Sequence, residues 1–170
     1  MAAFNNNGFH KHNDYMSPKH VWEDIKQFLP KDKIIWEAFY GDGKSGKDLQ
    51  SLGYEVIHED IDFFTNTPDY DYICSNPPYQ YAKDVLTHMK ELDKPFILIM
   101  PASKICTQYF RKLFSKETDN PIQIIIPRKR IQFIKLVDGK VPENFVEKCN
   151  FDCFYYCWKM NLPRDIVWLE

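Results

Sequence analysis

Apolar and polar positions along this chain switch repeatedly between a helical period and short continuous apolar runs. Val21, Trp22, Ile25 and Phe28-Leu29 recur at helical spacing and are stopped by Pro30. Ser17-Pro18 before them reads as a helix start, with Ser as N-cap and Pro at the first helical position. Lys33–Glu37 reads as a buried strand that runs into Ala38-Phe39-Tyr40-Gly41-Asp42-Gly43, followed by a short helix from Ser45 to Leu52 with Gly53 as its C-cap. Tyr54–Asp60 reads as a second strand ending in acids, and Tyr70–Cys74 as a third, reached through a polar loop ending at Pro68. Tyr81, Val85, Leu86, Met89 and Leu92 then mark one face of a helix. Phe96–Met100 is a further strand, and a helix from about Ser103 carries Ile105, Cys106, Tyr109, Phe110, Leu113 and Phe114. Ile122–Pro127 and Phe151–Met160 are strands, separated by a loop expected to be mobile over Val137–Glu147; Asp165–Leu169 is a short final one.

Strands alternating with helices predict an α/β fold: a Rossmann-like, doubly wound, mainly parallel sheet. Such sheets bind ligands beyond the carboxyl ends of their strands. The glycine loop, Asp60, Asp62 and Asn76 fall at those ends, so one shared cleft is expected.

Composition adds limits. A chain of 170 residues accommodates one domain, expected over residues 14–170 with residues 1–13 as a flexible, polar start. With 22 basic and 24 acidic residues, any nucleic-acid surface must be a local patch. No apolar run reaches membrane-spanning length and the start has no signal-peptide core, so an intracellular, non-membrane protein is expected. Cys149, Cys153 and Cys157 recur every fourth residue without a C-x2-C pair or a histidine cluster. They read as buried free thiols, and neither they nor the histidines suggest a metal site.

Two stretches carry chemistry. Ser75-Asn76-Pro77-Pro78-Tyr79 follows a strand; the prolines stop the ladder and leave free carbonyls beside an amide and a ring. That equipment suits a flat ring held by its exocyclic amine. Gly43-Lys44-Ser45 matches the end of a phosphate-binding loop, with Ala38 where its first glycine would stand. Glu37 and Asp42, however, place carboxylates where a polyphosphate would sit. An acidic glycine loop suits a ligand with positive charge and a ribose, such as S-adenosylmethionine; a nucleotide-triphosphate reading stays as the rival.

The order of these motifs resembles class I S-adenosylmethionine-dependent methyltransferases of the adenine-N6 type. The resembling residues are Tyr15-Met16-Ser17-Pro18, the loop Glu37–Gly43, Asp60, Asp62-Phe63 and the tetrapeptide Asn76-Pro77-Pro78-Tyr79. The loop departs from the family pattern at Ala38, which stands where proline is usual. The Phe39–Gly43 and Pro127–Ile131 runs also look like small methyltransferase-like proteins of large DNA viruses, which would place the chain in a host cell. The resemblance implies that Tyr15, Ser17, Glu37, Phe39, Gly41, Gly43, Asp60, Asp62, Phe63 and Asn76 bind cofactor. It makes Asn76, Pro77, Pro78 and Tyr79 catalytic, in a gamma-like arrangement without a separate target-recognition domain, and implies that the last main strand, Phe151–Met160, runs antiparallel.

The chemistry so implied is transfer of a methyl group to the exocyclic amine of adenine in DNA or RNA. The Asn76 side-chain oxygen and the Pro77 carbonyl would accept the amine hydrogens while Tyr79 stacks on the base. Arg128-Lys129-Arg130, with Phe133 and Lys104, is the expected nucleic-acid contact. A partner subunit or a second copy would supply target choice. The alternatives are another amine or amide substrate (protein glutamine or guanine), a phosphate-loop nucleotide enzyme, and an inactive subunit of the same fold that only binds.

Overall fold

The computed structural model describes residues 15–135, 140, 141, 143 and 150–170. The start expected to be flexible, Cys149 and most of the loop expected over Val137–Glu147 lie outside the described residues.

Its strands are β1 (Tyr15–Met16), β2 (Ile35–Trp36), β3 (Val56–Ile57), β4 (Tyr72–Ser75), β5 (Phe96–Pro101), β6 (Gln123–Ile126), β7 (Ile134–Lys135), β8 (Cys153–Trp158) and β9 (Ile166–Trp168). The helices are α1 (His20–Glu23), α2 (Lys44–Ser51), α3 (Ala82–Leu92) and α4 (Gln108–Phe114). A seven-stranded sheet runs in the order β3-β2-β4-β5-β8-β6-β9. Only β8 is antiparallel to its neighbours, β5 and β6; every other pairing in this sheet is parallel. The expected Rossmann-like arrangement is met, including the antiparallel strand.

Side chains alternate between two cores, as the two-residue period of a strand requires. Ile97, Ile99, Tyr155 and Cys157 face a core containing Val21, Trp22 and Ile25 around α1 and Leu49 of α2. Phe96, Leu98, Tyr156 and Trp158 face the other, with Val85, Leu86 and Met89 of α3 and Phe110 and Phe114 of α4. The sheet is therefore covered on both faces, and β8 is buried along nearly all its length. Each fully buried ring stabilises by roughly 2–3 kcal/mol. Its polar tips are also satisfied: Tyr155 Oη donates to the Val21 carbonyl at 2.8 Å, Tyr156 Oη to Pro101 at 2.8 Å and Trp158 Nε1 to Asn120 at 2.7 Å. Cys153 and Cys157 are buried free thiols, as expected; Cys74 is another, while Cys106 is exposed.

Some local expectations give way to tertiary demands. α1 begins at His20 without a side-chain cap, and Ser17 does not cap it. The periodic run continues only as a 3-10 turn at Lys26–Phe28, yet Val21, Trp22, Ile25 and Leu29 are all buried. The helix expected from Ser103 is split into a 3-10 turn at Ala102–Cys106 and α4, because Thr107 is extended (φ −79°, ψ 147°). Gly53 closes α2 as expected, at φ +90°. A small second sheet that the pattern did not reveal pairs β1 antiparallel with β7, Tyr15 opposite Lys135 and Met16 opposite Ile134. Among the described residues, no helix is long and apolar enough to cross a membrane.

Candidate functional site

β2 and β4 are adjacent parallel strands, so the residues leaving their carboxyl ends meet. Glu37 follows β2 and is only 1% exposed. Its Oε1 accepts a short hydrogen bond from Ser75 Oγ at the end of β4, and its Oε2 is enclosed with no hydrogen-bond partner. Burial pushes the carboxyl up from 4.5 to about 8; the Ser75 and Phe39 hydrogen bonds oppose this, and nearby Asp42 adds to it. The group is therefore mostly protonated at neutral pH while no cation among the described residues stands beside it. Ser75 had no assigned role in the sequence reading, because a serine ending a strand carries no signal of its own.

Asn76 is 8% exposed. Its Nδ2 donates to Ser17 Oγ at 3.1 Å, while Oδ1 is enclosed and has no hydrogen-bond partner. A buried acceptor left unmatched costs about 1–3 kcal/mol, which a ligand donor would relieve. Ser17 thus spends its hydroxyl on Asn76 and not on a helix cap. The same segment also reaches the glycine loop: a Cβ on Gly41 would stand 3.7 Å from Met16 Sδ. Gly41 (φ +58°) and Gly43 (φ +76°) adopt the left-handed backbone that favours glycine, and the Gly43 N–H closes a turn onto the Tyr40 carbonyl at 2.7 Å.

The phosphate-loop reading fares worse. The Lys44 backbone N–H at the start of α2 donates to Asp42 Oδ1 at 2.9 Å, and Lys44 Nζ is held by Asp48 at 2.5 Å. A carboxylate already occupies the position a phosphate would need, and the lysine is turned along its own helix.

Pro77 and Pro78 are buried, and Tyr79 opens a 3-10 turn ahead of α3. Tyr79 stands edge-on to Phe133 (6.4 Å between centroids) and Phe151 (5.8 Å), and Tyr15 meets the same two rings at 6.3 and 5.8 Å. The β1–β7 pairing builds this aromatic cluster beside Asn76. Phe151 was not expected in it, because it stands 72 positions from Tyr79 along the chain.

Burial and local bonding place three of the expected residues as follows. Phe133, expected as a nucleic-acid contact, is 2% exposed and packed in the core, so its face is unavailable to a base. Phe63, expected at a cofactor adenine, is 3% exposed and sits among Trp36, Phe39, Phe64 and His88. Asp62 accepts the Phe64 and Thr65 N–H groups at 2.9 and 3.1 Å and so organises the following turn. Phe39 is itself buried at 7%, and Asp60 is exposed past the end of β3. Lys104 lies in the turn after β5; Arg128, Lys129 and Arg130 are exposed after β6, with Arg130 Nε on Asp152 at 2.7 Å.

The structure therefore brings Ser17 onto Asn76 and Glu37 onto the adjoining Ser75, sets Tyr15 and Tyr79 beside them, and leaves Asp60 and the basic run farther along the same edge. No protein-family model and no curated protein sequence matches this chain. Among solved structures, it is similar to a dimethyladenosine transferase from Plasmodium falciparum (TM-score 0.45, 12% identity, covering 85% of this chain and 61% of that one). It is also similar to TehB from Haemophilus influenzae (TM-score 0.41, 11% identity, 83% and 60%). The chain spans about three fifths of the length of each, and at so low an identity and overlap neither says what this chain acts on.

Proposed function

We propose that this chain is an S-adenosylmethionine-dependent methyltransferase acting on the N6 amine of adenine in nucleic acid. The observation that carries the reading is Asn76: its amide nitrogen is tied to Ser17 while its buried oxygen has no partner. An acceptor so fixed suits a donor that arrives with the substrate.

The surroundings fit the cofactor. The unpartnered Glu37 Oε2 suits a ligand ammonium, the left-handed Gly41 and Gly43 shape the turn beside it, and Asp60 is exposed to meet ribose hydroxyls. When bound, S-adenosylmethionine supplies an electrophilic methyl group on a sulfonium. Asn76 Oδ1 and the Pro77 carbonyl accept the two amine hydrogens, localising the nitrogen lone pair for in-line attack. The methyl group would come from the bound cofactor, and the amine would give up one proton to water on receiving it. Tyr79 and its aromatic neighbours offset part of the cost of holding an unstacked base.

The test supplies labelled S-adenosylmethionine with separate DNA, RNA and protein pools and identifies the products by mass spectrometry. N6-methyladenine that disappears in a folded Asn76→Ala variant is the expected result. Label on a protein amide or on guanine moves the substrate; cofactor binding without transfer leaves a binding subunit; no cofactor binding refutes the proposal.

A further inference from the structure

The parallel strands place a row of residues along one edge of the sheet that continues well beyond Asn76. Lys104 follows β5, Asp152 leads into β8, Arg128–Arg130 follow β6, and Trp168 ends β9 in register with Ile126. At about 4.8 Å per strand, this row extends roughly 15–20 Å from Asn76. Its parts are joined: the Ala102 N–H donates to the Asp152 carbonyl at 2.8 Å, and the Asp152 carboxylate holds Arg130 at 2.7 Å. The basic segment then runs through buried Ile131 and Phe133 into β7, whose partner β1 leads straight to Ser17 on Asn76.

At its far end the row opens into a cleft of about 770 Å3 between α1 and β9. Arg128, Lys129, Arg130, His20, Phe28 and Trp168 line it, with Asp24 and Glu170 among the remaining residues. Trp168 is 70% exposed, a large ring left in water where most aromatic side chains of this chain are buried. An exposed indole beside cations is the combination that holds bases by stacking and phosphates by charge. The carboxylates disfavour phosphate near Asp24 and Glu170 and confine the backbone path to the Arg128–Lys129 wall.

We propose that this edge is a track for single-stranded nucleic acid, with Lys104, Arg128 and Lys129 contacting phosphates and Trp168 stacking on a base that flanks the target. The inference rests on the nucleic-acid reading above and names its substrate class as single-stranded. Trp168 takes the stacking role that the sequence had suggested for Phe133.

The experiment measures binding of a short fluorescent single-stranded oligonucleotide to the full chain by anisotropy, without cofactor, over a salt series, with a duplex of equal length in parallel. Trp168→Ala is expected to weaken single-strand binding about 5- to 150-fold, the worth of one stacked base, and Trp168→Phe to recover most of it. Arg128→Gln and Lys129→Gln are each expected to reduce the salt slope by about 0.7. The duplex should bind more weakly and without dependence on Trp168. Unchanged single-strand affinity in a folded Trp168→Ala variant overturns the track. So does duplex binding of equal strength, or a wild-type dimer that Trp168→Ala dissociates. Methyl transfer without Trp168-dependent binding sinks the track and spares the enzyme reading; Trp168-dependent binding without transfer does the reverse.

Discussion

Glu37 offers a quantitative test, because its carboxyl is enclosed, hydrogen-bonded by Ser75 and raised to about 8. Below about pH 4.5 the folded and unfolded chains both keep this proton, so it adds no pH dependence. Between about 4.5 and 8 the unfolded chain has lost it and the folded chain retains it. Raising the pH across that window therefore favours unfolding, by roughly 1.4 kcal/mol per pH unit and on the order of 5 kcal/mol in all. Glu37→Gln keeps the shape and the Ser75 acceptor without a titrating proton, so it should lack this slope. Urea unfolding of both proteins from about pH 5 to pH 8 isolates the effect, since other groups cancel in the difference. Adding a ligand ammonium beside Oε2 would favour the carboxylate, so binding near neutral pH should release close to one proton. Calorimetry of S-adenosylmethionine binding in phosphate and in Tris measures that release, and affinity should rise with pH toward 8. Parallel stability curves for the two proteins, together with a binding enthalpy independent of buffer, would refute the reasoning.

Other expectations concern single contacts. Ser17→Ala removes the hydrogen bond that fixes the Asn76 amide and should lower kcat by about 2- to 10-fold, the worth of one hydrogen bond. The KM for S-adenosylmethionine should stay level and Ser17→Thr should rescue; a raised cofactor KM with unchanged kcat would instead make Ser17 a cofactor ligand. Gly46→Ala should destabilise despite a helix-propensity gain of about 1 kcal/mol. Its Cβ would stand 2.6 Å from His58 Nδ1 and nearer still to Cβ and Cγ, so adding His58→Gly, which removes that Cβ as well as the ring, should recover part of the stability in thermal melts. Phe133→Ala should cost about 3–5 kcal/mol in chemical unfolding, as for a core ring. A folded, equally stable Phe133→Ala variant that loses only oligonucleotide binding would return Phe133 to the surface role.

Periodicity by itself determined much of this molecule. Alternating apolar runs and helical stripes specified the α/β order, because strands buried on both faces must be apolar throughout while covering helices need one apolar side. Val85, Leu86 and Met89 are buried where the 3.6-residue spacing put them, and Gly53 ends α2 where only a left-handed residue fits. Asn76 and the glycine loop were legible because prolines and glycines mark fixed backbone paths.

Tertiary structure decided which side chains meet. Ser17 and Asn76 are 59 positions apart, and Glu37 and Ser75 are 38 apart; strand adjacency brings both pairs together. It also decided that Phe133 turns inward through the β1–β7 pairing while Trp168, at the sheet's edge, stays in water. An aromatic beside a basic run reads the same in either case, since local pattern records a residue's chemistry and only packing sets its neighbours.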